Sequence, residues 1–174
     1  GIGLEQLIKA LPTLLKKQQE LDDYIMRERG LTHDETIEQR KLAFVVELAE
    51  LAQEWRGFKY WNDNQEPSEK VLEEYVDVLH FALSLHNYYK GDADANDVVG
   101  MLKGGEVVEN GDAPRVTIEF LNTINWTTHW DWRNSIGLLQ VVTLSKYIDL
   151  DAEGILKEYD RKYQINIERQ NNGY

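Results

Sequence analysis

Residues 42–55 read LAFVVELAELAQEW, and residues 71–83 read VLEEYVDVLHFAL. Both stretches carry Leu, Val, Phe and Ala at helical spacing, so both are read as helices with a broad apolar face. Each run is interrupted by two acids three residues apart, Glu47 and Glu50 in the first, Glu74 and Asp77 in the second. That spacing puts both members of a pair on one helix face. Four carboxylates gathered in apolar surroundings repel one another and are costly to ionise. A divalent cation offsets the cost, and carboxylate oxygens suit hard ions such as Mg²⁺ or Mn²⁺. The two stretches therefore predict a metal site between two core helices, and with it an enzyme. The competing reading is that acids at this spacing only decorate solvated helix faces.

Working outward, residues 3–28 carry Leu4, Leu7, Ile8, Leu11, Leu14, Leu15, Leu21 and Ile25 near the helical period. They predict a first helix, bent at Pro12 and ended by Gly30. Thr32 and Glu35 have capping-box spacing and open a second helix to about residue 56. Residues 57–66 (GFKYWNDNQE) read as a polar loop with aromatics, and Pro67 is expected to start a third helix running to Lys90. Residues 92–114 are acidic and turn-prone, and predict a mobile connection with one short helix. Helical character returns over 116–148, with a break near Trp126–Trp130. A last helix spans 152–171, capped by Asp149 or Asp151. No convincing strand alternation and no fixed-period repeat is seen, so the expected fold is an all-α bundle.

The chain has 174 residues and no Cys. The length suits one domain, 1–174, and the absence of Cys excludes disulfides and thiolate metal sites. No apolar stretch approaches the ~20 residues needed to span a bilayer. The net charge of −12 argues against a broad nucleic-acid surface. One small polyphosphate remains compatible with it, if metal ions and a few local cations neutralise that ligand.

Two further patterns bear on chemistry. Asp77 and His80 are spaced like the Glu-x-x-His element of carboxylate-bridged iron bundles, but that design needs two such elements and one is present. His80 is read as a hydrogen-bonding group rather than a ligand. Lys162, Asn166 and Arg169 align on one face of the last helix, where two cations and an amide could grip a polyphosphate. Alone, such a stripe usually faces solvent.

Together these pieces resemble the dimeric all-α dUTPase family, a branch of the all-α NTP pyrophosphatases typified by MazG. The likeness is carried by KQQELDDYI (17–25), ELAELAQEWRGFKYW (47–61), EEYVDVLHF (73–81) and KYQINIERQNNGY (162–174), in this order. The compact middle segment suits the bacterial and phage forms, which implies a cytoplasmic place, that of the host if phage-encoded. The resemblance implies Mg²⁺-assisted hydrolysis of dUTP, and of dUDP, to dUMP. It implies that Glu47, Glu50, Glu74 and Asp77 bind metal, with Glu50 activating the attacking water beside Glu47. Lys162, Asn166, Arg169 and Lys59 would hold phosphate. Gln18, Asp22, Trp61, His80 and Phe81 would meet the base and sugar, with Phe81 stacking on uracil. A homodimer is implied, and the Trp-rich 116–148 region could supply its apolar face. Two rivals are a MazG-like pyrophosphohydrolase of other nucleotides and a non-catalytic helical module that binds a regulatory protein.

Overall fold

The computed structural model describes residues 2–90, 112–128, 132 and 136–173. Six helices, and no strand, occur among them: α1 (Ile2–Arg29), α2 (His33–Trp55), α3 (Val71–Lys90), α4 (Ala113–Thr128), α5 (Ile136–Tyr147) and α6 (Ala152–Asn171). The all-α expectation holds. Most of the expected mobile segment, residues 92–111, lies outside the described residues, as do His129 and Trp130 of the expected break.

Local chemistry sets most boundaries. α1 runs through Pro12, whose ring is on the exposed side. It ends at Gly30, which takes a left-handed φ of 65° that glycine adopts without penalty. The capping box of α2 forms in full, with Glu35 N donating to Thr32 Oγ1 at 3.3 Å and Thr32 N donating to Glu35 Oε1 at 3.1 Å. The helix closes on Arg56 at φ 68°, and Gly57 follows because a Cβ there would lie 2.4 Å from the Trp55 ring. Asp151 caps α6 by accepting from Gly154 N at 2.7 Å, while Asp149 occupies a left-handed turn before it.

The start of α3 differs from expectation. The helix begins at Val71 rather than Pro67. Ser68 N donates to Glu54 O at 2.9 Å and its hydroxyl bonds the Glu54 carboxylate. That anchor ties 67–68 to the end of α2, so the chain turns into a helix only afterwards.

α3 is the spine of the bundle and packs on α1, α2, α5 and α6. Its Tyr75, Val76, Val78, Leu79, Ala82 and Leu83 are fully buried. Tyr75 donates its hydroxyl to Val141 O at 2.8 Å, which ties α3 to α5, and burial pushes that phenol's pKa up. Phe44 and Trp132 meet edge to face at 5.3 Å, so this Trp fills the core of its own chain. Among the described residues no helix is long and apolar enough to cross a membrane.

Candidate functional site

Because α2 and α3 pack along each other, their acid pairs meet. One carboxylate oxygen from each of Glu47, Glu50 and Glu74 lies within 4.8 Å of the others. Glu47 Oε2 and Glu74 Oε2 are buried and have no hydrogen-bond partner among the described residues. Burial first, then a hydrogen bond shared with Glu50 and the charges of Asp77, Glu50 and Glu74, push the Glu47 carboxyl up to about 8. Glu74 is raised by burial and by Asp77 and Glu50, against the opposing pull of Lys162. A cluster of carboxylates that includes two orphaned buried oxygens, with no nitrogen or sulfur donor in it, fits a hard divalent ion such as Mg²⁺.

Asp77 stands apart from that trio. It accepts from Lys162 Nζ at 3.0 Å, and Lys162 also donates to Glu73 at 3.1 Å. The two partners respond differently. Glu73 is more exposed, and the Lys162 bond holds its pKa down. Asp77 is more buried, and burial outweighs Lys162 and raises it. Lys162 itself is raised, since its two carboxylates outweigh a burial that acts the other way.

A cavity of about 580 Å³, a size suited to a nucleotide, adjoins these groups; of the trio Glu47 alone is among its lining residues, and Glu50 and Glu74 are not. Glu47, Glu73 and Asp77 line it from α2 and α3, and Lys162, Asn166 and Arg169 line it from α6. The stripe on the last helix therefore turns toward the acids rather than lying on a remote solvated face. His80 and Phe81 also line the cavity, with ring centroids 5.1 Å apart and planes at 88°. Burial lowers the pKa of His80 below the ordinary histidine value, so its ring is neutral at pH 7.

Other expected residues lie elsewhere. Gln18 is fully buried and does not border the cavity. Its carbonyl accepts from the Tyr159 hydroxyl at 2.8 Å, and its amide donates to Asp22 Oδ1 at 3.0 Å. Asp22 is 7 % exposed. Trp61 is 64 % exposed on the loop after α2, packed against Phe58 and Tyr60. Lys59 belongs to the same loop, outside the cavity lining.

Sequence reasoning missed Glu73, Tyr159, Tyr163 and Arg161, all of which border the cavity. Tyr159 was legible, because it precedes Lys162 by three residues and so shares its face. Glu73 was hidden by its neighbour Glu74, since adjacent helical residues point about 100° apart and only packing shows which one borders the cavity.

A sequence model of the dUTPase family matches residues 10–174, nearly the whole chain. The chain belongs to that family, and its activity is that of a dUTP diphosphatase. Among curated proteins no relative matches.

Proposed function

Starting from its place in the dUTPase family, we propose that the chain hydrolyses dUTP to dUMP and pyrophosphate by Mg²⁺-assisted attack of water on the α-phosphorus. One observation carries the reading: three carboxylates from α2 and α3 converge, and one of them, Glu47, shares a cavity with Lys162, Asn166 and Arg169 of α6. Glu47, Glu50 and Glu74 would hold the ion, Mg²⁺ or Mn²⁺, with Asp77 joining once Lys162 turns to phosphate. What a bound divalent ion supplies there is screening of phosphate charge and acidification of water.

The protein groups supply the rest. Glu50 is the exposed member of the trio and takes the proton of the attacking water. The new bond forms between that oxygen and the α-phosphorus. The bond to the bridging oxygen breaks, and its electron pair leaves with pyrophosphate. Lys162, Asn166 and Arg169 bind the phosphates and orient the leaving group. The same arrangement reaches the α-phosphorus of dUDP, which would release phosphate instead. Phe81 stacks on uracil, and His80 reads the nucleoside, backed by Gln18 and Asp22. Lys59 and Trp61 contribute from the loop after α2 when it closes on nucleotide.

A homodimer is part of the reading. Leu42 and Val46 on α2, and Ile118 and Leu121 on α4, are large apolar side chains left exposed in the single chain. Release of pyrophosphate from each of the four common deoxynucleoside triphosphates and dUTP, with and without Mg²⁺, tests the proposal. Preference for dUTP, dependence on Mg²⁺, and loss of ~10²–10⁴-fold in kcat for Glu50→Gln are expected. Equal hydrolysis of dCTP or dTTP would favour the broader pyrophosphohydrolase reading.

A further inference from the structure

Gln18 is completely buried, yet its amide meets three polar groups. The Tyr159 hydroxyl lies 2.8 Å from its oxygen, Asp22 Oδ1 lies 3.0 Å from its nitrogen, and His80 Nε2 lies 3.4 Å from the same nitrogen. These neighbours remove the usual ambiguity of an amide's orientation. A carboxylate only accepts, so turning the Gln18 amide over would set its oxygen against Asp22. The NH₂ group must face Asp22, and its second hydrogen is then the one beside His80. An amide nitrogen cannot accept, so contact with His80 requires an unprotonated Nε2. A neutral imidazole in that state carries its hydrogen on Nδ1.

Behind Asp22 stands a second buried charge. Arg40 Nη1 lies 3.9 Å from Asp22 Oδ2, with both side chains about nine-tenths buried. Arg40 is held by Ser84 Oγ at 3.1 Å, Thr36 Oγ1 at 3.2 Å and His33 Nδ1 at 2.5 Å. It offsets the charge of Asp22 without reaching the cavity. A guanidinium this firmly fixed, outside the cavity lining, is unexplained by the hydrolytic chemistry.

We propose that Arg40 and Asp22 are positioning residues which act through Gln18 to lock His80 as its Nδ1–H tautomer, so that the ring offers the nucleotide a hydrogen-bond donor. The ligand recognised is an acceptor oxygen of the base or sugar. This half rests on the cavity being the nucleotide site, whereas the lock itself does not. The relay spans three helices, Arg40 on α2, Asp22 and Gln18 on α1, and His80 on α3. It converts the presence of a buried carboxylate into the polarity of one group at the cavity wall. An acceptor in place of that donor would face the same oxygen with repulsion, so the lock contributes to selectivity.

Long-range ¹H–¹⁵N spectra of the metal-free full chain, labelled at histidine, read the tautomer directly, with His80→Gln assigning the resonance. Nδ1–H is expected in the native protein, and a mixture with Nε2–H in Asp22→Asn, whose amide can donate to a flipped Gln18. Arg40→Lys should keep Nδ1–H, because it keeps the counter-charge. In kinetics, Asp22→Asn should raise KM for dUTP about tenfold while lowering kcat less, the loss of one ligand hydrogen bond. An Nε2–H ring in the native protein, or an unaltered Nδ1–H ring in Asp22→Asn, would overturn the lock. The native measurement decides even if a variant fails to fold. If α,β-imido-dUTP leaves the His80 resonances unmoved while the tautomer stands, the ligand half is overturned and the fault lies in the reading of the cavity.

Discussion

Glu47→Gln should make the metal-free protein more stable at alkaline pH, and the size of the gain follows from the site. The Glu47 carboxyl rises from an ordinary 4.5 to about 8 on folding, with burial the main cause. The folded state therefore holds a proton between those values that the unfolded state has released. Stability from this group is fully present below 4.5 and is lost as pH rises through 8. The whole interval corresponds to about 5 kcal/mol as an upper bound. Glu47 is only partly buried, so solvent screening reduces this to about 1–2 kcal/mol. For a chain of this length that is a rise of about 2–8 °C in Tm for Glu47→Gln relative to native above pH 8. Near pH 4.5 the two proteins should converge.

Glu74 and Asp77 are also raised and act in the same sense, so the native slope is steeper than Glu47 alone would give. His80 is lowered and acts oppositely, losing stability as pH falls below the ordinary histidine range. Its contribution is common to both proteins and cancels in the comparison. Calorimetry in EDTA across about pH 5 to 8.5 reads the effect. Added Mg²⁺ should reverse the order, raising the native Tm more than that of the variant. A native profile in EDTA without any fall over this range, or a variant that follows the same slope, would refute the argument that these acids are clustered and uncompensated.

Two other substitutions probe the same architecture. Lys162→Met should lower Tm by several degrees in EDTA, because Glu73 and Asp77 lose their shared cation at 3.0–3.1 Å, and should reduce kcat/KM for dUTP more than about tenfold. Lys162→Arg should recover most of the stability, and equal melting of Lys162→Met and native protein would show the pairing to be unimportant. Tyr75→Phe removes a buried hydrogen bond to Val141 O, a helical carbonyl, which costs about 0.5–1.5 kcal/mol, while turnover at 25 °C should stay native. Unchanged urea unfolding for that variant would contradict the tie between α3 and α5.

Residue order alone sufficed for whatever acts within a turn or two of helix. Apolar periodicity specified the helices, Thr32 with Glu35 specified a start, Gly30 a stop, and the i, i+3 acids a chemical face. Those are short-range matters of hydrogen bonding and side-chain direction, so they survive without knowledge of the partner helix. Tertiary structure decided everything that needed two elements at once. It carried Asp77 to Lys162 while Glu47, Glu50 and Glu74 came together. It buried Gln18 in a polar run whose composition suggests an exposed surface, and it brought in Arg40, Tyr159 and Glu73. It also delayed α3 by four residues through the grip of Ser68 on Glu54. The physical reason is that a helix specifies which side chains share a face, whereas the neighbour each face meets depends on how whole helices pack, which is set by groups far apart in the chain.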